Sequence, residues 1–304
     1  LPRSDLTRRA PALALAGVAV VLLATAPLWA GPYALSLLTR SVVLGIAAIG
    51  LFLIVRVGGM VSLGHAATIG IGAYTAALLA SAGIFNGWLI VAAGGLASAI
   101  WGCLAGLVFA RLRGLRFMLA SLAAAQIVYF AAVGAYPLGG DDGFSMPGDA
   151  RFLPAAMATA PAALYLACLG VLLLSLAVFA GLERAPIGLT LAGLRGSEAR
   201  MVSLGYAATP ARLIVLGAGS AAGGVAGALL ADYSDFVSPS MMDWTRSGEL
   251  LAIVLVGRAF GWVGPLAGAF LFVFAESELP RITEHWRLPF GLFLTALALI
   301  SLRK

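Results

Sequence analysis

The sequence predicts an all-α, polytopic bundle of membrane-spanning helices, and three observations carry that prediction. Of 304 residues, 62% are hydrophobic and 11% charged, whereas soluble domains run at about 45 to 50% apolar and about 25% charged. There is too little polar surface to cover a water-facing globule. Apolar runs of about 20 residues, the length that crosses a bilayer, recur from end to end, and mean hydropathy is +1.02. The alternating apolar and polar rhythm of a membrane barrel is absent.

Bounded by charges, Gly or Pro, the runs fall near 10–30, 34–55, 60–81, 88–109, 117–137, 161–182, 212–231, 247–258, 263–277 and 288–302. They predict about ten crossings within one transmembrane domain over 1–304. The first run follows Arg3, Arg8 and Arg9 and is read as an uncleaved helix. Its apolar stretch exceeds the roughly 7 to 15 residues of a secretory signal core, and Pro27 would sit badly after a cut at Ala24-Thr25-Ala26. The runs 247–258 and 263–277 are short. Around Gly257 to Pro265 they form either full crossings or a broken, re-entrant element, which is tolerated where other helices or a cavity satisfy its backbone. Gly102-xxx-Gly106, Gly219-xxx-Gly223-xxx-Gly227 and Gly264-xxx-Gly268 put small residues on one helix face, the pattern that lets helix backbones approach closely in lipid.

Basic residues set the orientation. With the N-terminus inside, only Arg40, Arg151, Arg246, Arg281 and Arg287 of the nineteen basic residues fall outside, leaving fourteen in the cytoplasm. Both termini are therefore expected in the cytoplasm. The loop 138–160 then lies outside and the loop 183–211 inside.

Composition also excludes functions. A phosphate-binding loop of the GxxxxGK[ST] type needs a Lys, and the single Lys is Lys304. Cys103, Cys168, His65 and His285 show no zinc-ligand spacing, and both Cys read as small core residues. Neither a nucleophile elbow nor a dinucleotide fingerprint is present, so no enzyme activity, metal or cofactor is indicated. The net charge of +6 is spread as short basic clusters between apolar runs, a topology signal that points to lipid rather than nucleic acid.

Within 183–211, the segment from Gly193 to Gly205 carries Arg195, Glu198 and Arg200 with apolar Leu194, Met201 and Leu204. That pattern predicts one short amphipathic helix along the membrane surface, ending at Gly205. Its alternatives are a partner-docking helix and a solvated positive-inside loop. Arg195 and Glu198, three apart, would share one exposed face and contribute only a few tenths of a kcal/mol.

This stretch resembles the coupling motif R-E-x-E-x-x-A-x-x-L-G of branched-chain amino acid (Liv-type) permeases of ABC importers, with Arg195, Glu198, Leu204 and Gly205 matching and Gly196 in place of the first acid. Further blocks resemble the same family in order. Gly58 to Ala66 and Gly70 to Tyr74 are similar to its Gly-x-x-Ser-Leu-Gly-His…Gly-x-Gly-Ala-Tyr block, Leu112 to Phe117 to its L-R-L-R-G-x-Y-F turn, and Gly139 to Gly143 to T-G-G-x-x-G. Phe236 to Pro239, with Ser247 and Leu251 to Val256, resembles F-V-S-P…S…L-x-x-V-x-x-G. Departures are Gln126, where the family usually has Glu, and Gly257 to Gly261, in place of G-G-x-G-(S/T).

The resemblance implies a permease subunit of the bacterial inner membrane that pairs with a second permease subunit, two ABC ATPase subunits that bind the ATP, and a periplasmic substrate-binding protein. It places ATPase coupling at Arg195, Glu198, Ala199, Leu204 and Gly205. A zwitterion needs hydrogen bonds or helix termini beside apolar contacts, so Ser62, Gly64, His65 and Gln126 are candidates for the translocation path, against purely structural roles. Asp141 and Asp142 are candidates for contact with the binding protein, against a solvated turn. Urea or short amides remain alternative substrates. An ion-coupled carrier is the alternative of another class, disfavoured because the span centres hold almost no ionisable residues.

Overall fold

The computed structural model describes residues 20–148, 150–153, 159–257, 263–282 and 291. Residues 20–24 (α1) and Ala26–Trp29 (α2) lead into α3 (Pro32–Arg56), α4 (His65–Ser81), α5 (Gly87–Phe109), α6 (Leu115–Val133) and α7 (Ala160–Arg184). Two short helices follow, α8 (Pro186–Gly196) and α9 (Glu198–Ser203), then α10 (Ala208–Ser234), α11 (Trp244–Gly257) and α12 (Gly264–Ile282). Phe144–Ser145 (β1) and Phe236–Val237 (β2) pair antiparallel, Phe144 opposite Val237.

Local chemistry marks the helix starts. Pro32 stands in the first turn of α3, where its missing N–H costs nothing, and Asn86 caps α5 by accepting from Leu89 N at 3.2 Å. Among the described residues, α3, α5, α6, α7 and α10 are long and apolar enough to cross a membrane. Helices α4 and α11 have 17 and 14 residues, and α12 ends in Glu276, Glu278 and Arg281, so these three fall short of that measure. The first half of the expected run at 10–30 and nearly all of the run at 288–302 lie outside the described residues.

The hub is α10, which packs on α5, α4 and α3. Small residues make this possible. A Cβ on Gly72 would overlap the backbone of Gly224, and one on Gly227 would overlap Ile69. The expected glycine repeats all fall at such contacts: Gly102 and Gly106 against Ser220 and Leu213, Gly219 against Gly50, Gly223 against Thr68, and Gly268 against Ile253.

Helix α5 shows which solvent the bundle suits. Gly94, Gly95, Ser98 and Gly102 are buried toward α10, whereas Leu96, Ile100, Leu104, Leu107 and Val108 are each more than half exposed. In water such a stripe would be an aggregation-prone patch. In hydrocarbon, large apolar groups outside and small ones between helices is the stable arrangement.

Ion pairs collect at the two ends of the bundle. Arg56–Glu183 and the contacts of Glu198 with Arg113 and Arg212 lie at one end; Arg40–Glu276, Arg246–Glu249 and Arg281–Glu278 lie at the other. Arg40 and Arg56 stand 16 residues apart on α3, about 24 Å along its axis. Residues that the alternation assigns to one side of a membrane thus share one end.

Helices α11 and α12 form a tight hairpin in which Gly257 and Gly264 meet backbone to backbone. At 14 residues, α11 is about 21 Å long, short of the roughly 30 Å hydrocarbon core.

Candidate functional site

The candidates in the loop 183–211 fold as an elbow. Helix α8 stops at Gly196, Ser197 adopts an extended backbone (φ −161°, ψ 103°), and α9 starts at Glu198. This corrects the expectation of one continuous amphipathic helix. Gly196 is a poor helix interior residue, and Ser197 caps the new helix, its hydroxyl accepting from Arg200 N. The far end is as expected. Gly205 takes φ +88°, its N–H bonds Val202 O at 2.9 Å, and Tyr206 N–H bonds Met201 O at 3.0 Å, a left-handed helix stop.

Arg195 and Glu198 do not form an exposed pair, which corrects the second expectation for this loop. They belong to different helices, and both are bonded to the bundle. Glu198 sits between Arg113 and Arg212, accepting from Arg212 Nη2 at 2.5 Å. Arg212 Nη1 also donates to Ala110 O at 2.9 Å. The Arg212 side chain is 9% exposed and that of Glu198 18%, so this pair is largely shielded from solvent, while Arg113 reaches it from the exposed side. Arg195 donates to the carbonyl of Arg56, which itself pairs with Glu183 at 3.0 Å. Its stem crosses Gly59, where an added Cβ would lie 2.7 Å from Arg195 Cγ.

The other side of the elbow is apolar and open. Val202, Leu204 and Tyr206 are 54%, 66% and 49% exposed, and Ala199 and Gly205 are exposed beside them. The elbow is therefore fastened to the bundle by charge on one side and presents an apolar surface on the other. Sequence reading missed Arg113, Arg212 and Arg56 as the anchors. The available signal was Arg212 at the head of an apolar run, where a basic residue needs a partner.

Ser62, Gly64 and His65 come together at the start of α4. His65 is buried, with Nε2 3.1 Å from Ala47 O; Ser62 Oγ accepts from Gly64 N at 3.2 Å, and Gly64 lies on the Ser121 carbonyl. The three line a cavity of about 30 Å³ with Thr68, Ser121 and Ser220, room for about one water. Gln126, half-buried on α6, is not part of that lining, although Ser121 and Ala124 of the same helix are.

Asp141 and Asp142 are exposed at the opposite end, in a loop fastened to the end of α10 by the β1–β2 pair and by Met146 N to Asp235 O at 3.0 Å. Sequence reading missed a cavity of about 310 Å³ at this end, lined by Arg40, Arg246 and Glu249 with Ile69, Leu250 and Ile253 among others.

The sequence profile described as branched-chain amino acid transport system, permease component, matches residues 33–301. The chain is similar to the high-affinity branched-chain amino acid transport system permease protein LivM of Salmonella typhimurium, 29% identical over 276 residues, covering 83% of this chain and 65% of that relative. It is also similar to LivM of Escherichia coli, 28% identical over 298 residues, covering 90% of this chain and 70% of that relative. The chain thus spans 65 to 70% of the length of these relatives. No solved structure gives a significant match. A profile that runs from the start of α3 to beyond α12, on a bundle of apolar helices, shows that the chain belongs to the family of branched-chain amino acid transport system permease components.

Proposed function

We propose that the chain is the transmembrane permease subunit, not an enzyme, of an ABC importer in the bacterial inner membrane, carrying branched-chain or other hydrophobic amino acids inward. It crosses the membrane about ten times with both termini in the cytoplasm. It works with a second permease subunit, two ATPase subunits that bind and hydrolyse the ATP, and a periplasmic substrate-binding protein.

The observation that carries this reading is the elbow of α8 and α9. Its charged side is tied to α3, α10 and the turn before α6, while Val202, Leu204 and Tyr206 stand outward. A docking element needs both properties: a surface for a partner, and a stiff connection that passes the partner's displacement into the membrane helices. Closure of an ATPase dimer on ATP would move two such elbows together and shift the spans between two access states.

The test is uptake of labelled leucine into proteoliposomes that contain both permeases and the ATPases, with binding protein outside. Uptake should require ATP inside and should stop with Leu204→Asp. Uptake driven by a proton or sodium gradient without ATP would replace this reading with an ion-coupled carrier. ATP-driven uptake of urea in preference to leucine would keep the machine and change its substrate.

A further inference from the structure

The cavity of about 310 Å³ at the end opposite the elbow is divided chemically in two. Its deep wall is aliphatic and aromatic: Ile69, Leu250, Ile253 and Phe272 are all buried. Its rim carries Arg40, Arg246 and Glu249 together with the hydroxyls of Tyr233, Ser238 and Ser240. Volume and composition fit the small end of organic-ligand sites, which run from about 300 to 1,000 Å³ with apolar walls and a few convergent polar groups.

The rim charges keep unused binding capacity. Arg40 Nη2 donates to Glu276 and Arg246 Nη1 to Glu249, each at 2.8 Å. A guanidinium has five N–H donors and a carboxylate about four acceptor positions, so one bond of this kind leaves most of each group available. Both signs of charge are presented side by side at the mouth of an apolar slot. A simple anion would meet Glu249, a simple cation would meet two arginines, and a zwitterion can satisfy both.

We propose that this cavity is a binding station for a free α-amino acid with an aliphatic side chain, its carboxylate at Arg40 and Arg246, its ammonium at Glu249, and its side chain against Ile69, Leu250 and Ile253. The proposal rests on the importer reading above for its biological sense, but its chemistry is tested separately. The station is distinct from the small cavity at His65, which holds about 30 Å³.

The experiment is a binding titration of labelled leucine on the full chain in lipid nanodiscs. Competitors are unlabelled leucine, 4-methylpentanoate, which lacks the ammonium, and 3-methylbutylamine, which lacks the carboxylate. Leucine should bind, and each truncated analogue should compete about tenfold or more weakly, as loss of one charge contact requires. Arg246→Gln and Glu249→Gln, at side chains 47% and 36% exposed, should each weaken leucine binding about tenfold while eluting as the native chain does. Should one variant misfold, the other still decides. Absence of leucine binding, equal binding by an analogue, or unchanged affinity in a folded variant overturns the station. ATP-driven leucine uptake by the complete transporter separates the two readings. Normal uptake in both variants leaves the importer standing and removes the station, whereas leucine binding that these variants weaken, without ATP-driven uptake, does the reverse.

Discussion

The carboxylate of Glu198 lies 2.5 Å from Nη2 of Arg212, joining the first turn of α9 to the first turns of α10. Both side chains are largely shielded from water, and Arg113 reaches the same carboxylate. Burial makes this contact costly to break from one side, because the remaining charge keeps its desolvation without its partner.

Glu198→Gln should therefore destabilise the protein by about 3 kcal/mol, and Glu198→Arg should do more harm by placing three guanidinium groups together. Thermal unfolding in detergent is the measurement. A native melting temperature for Glu198→Arg would show that the cluster holds nothing.

Leu204→Asp provides the contrast. Leu204 is 66% exposed, so the change should leave the melting temperature within a degree or two while abolishing co-purification with the ATPase subunits. If Leu204→Asp retains the ATPases at native stoichiometry, the apolar side of the elbow is not the docking surface.

Gly205→Val tests the helix stop alone. A Cβ at Gly205 meets nothing within 4 Å, but the backbone stands at φ +88°, where a β-branched residue is strained by roughly 1 to 2 kcal/mol. Gly205→Asn, which tolerates that region, should recover most of the loss in the same unfolding assay.

Gly227→Leu and Gly170→Leu test the bundle. A side chain at Gly227 runs into Ile69, whereas Gly170 has nothing within 4 Å. Folded yield after solubilisation should collapse for the first and stay native for the second. Equal yields would mean that α10 and α4 do not pack as closely as described.

Topology is read by thiol labelling with Cys103 and Cys168 replaced by Ala. A membrane-impermeant reagent should reach Asp142→Cys from the periplasm and Leu204→Cys only after the inner membrane is opened. The opposite pattern would invert the orientation.

The sequence made the long helices legible because a bilayer-length apolar run has few other uses, and it made their contacts legible because glycine spacing encodes close approach. It made the elbow's position legible through Leu204 and Gly205, but not its break. Ser197 followed by Glu198 is a helix-start signal, and the amphipathic period running through it obscured that signal. The anchoring of Glu198 was hidden for a different reason. Its partners, Arg113 and Arg212, come from other segments, and charge spacing along one helix says nothing about them. The two-residue pairing of β1 with β2 has no periodicity to read, and the cavity at Arg246 draws on α3, α4, α10, α11 and α12 at once.

The short ladder between Phe144–Ser145 and Phe236–Val237 has a mechanical consequence. It stitches the loop of Asp141 and Asp142 to the end of α10, whose beginning carries Arg212 and hence the elbow. Helix α10 has 27 residues, a rod about 40 Å long fastened at one end to the loop of Asp141 and Asp142 and at the other to the elbow. A push on that loop and a pull on the elbow act on opposite ends of one pushrod, so the two ends of the bundle are geared together through a single piece of secondary structure.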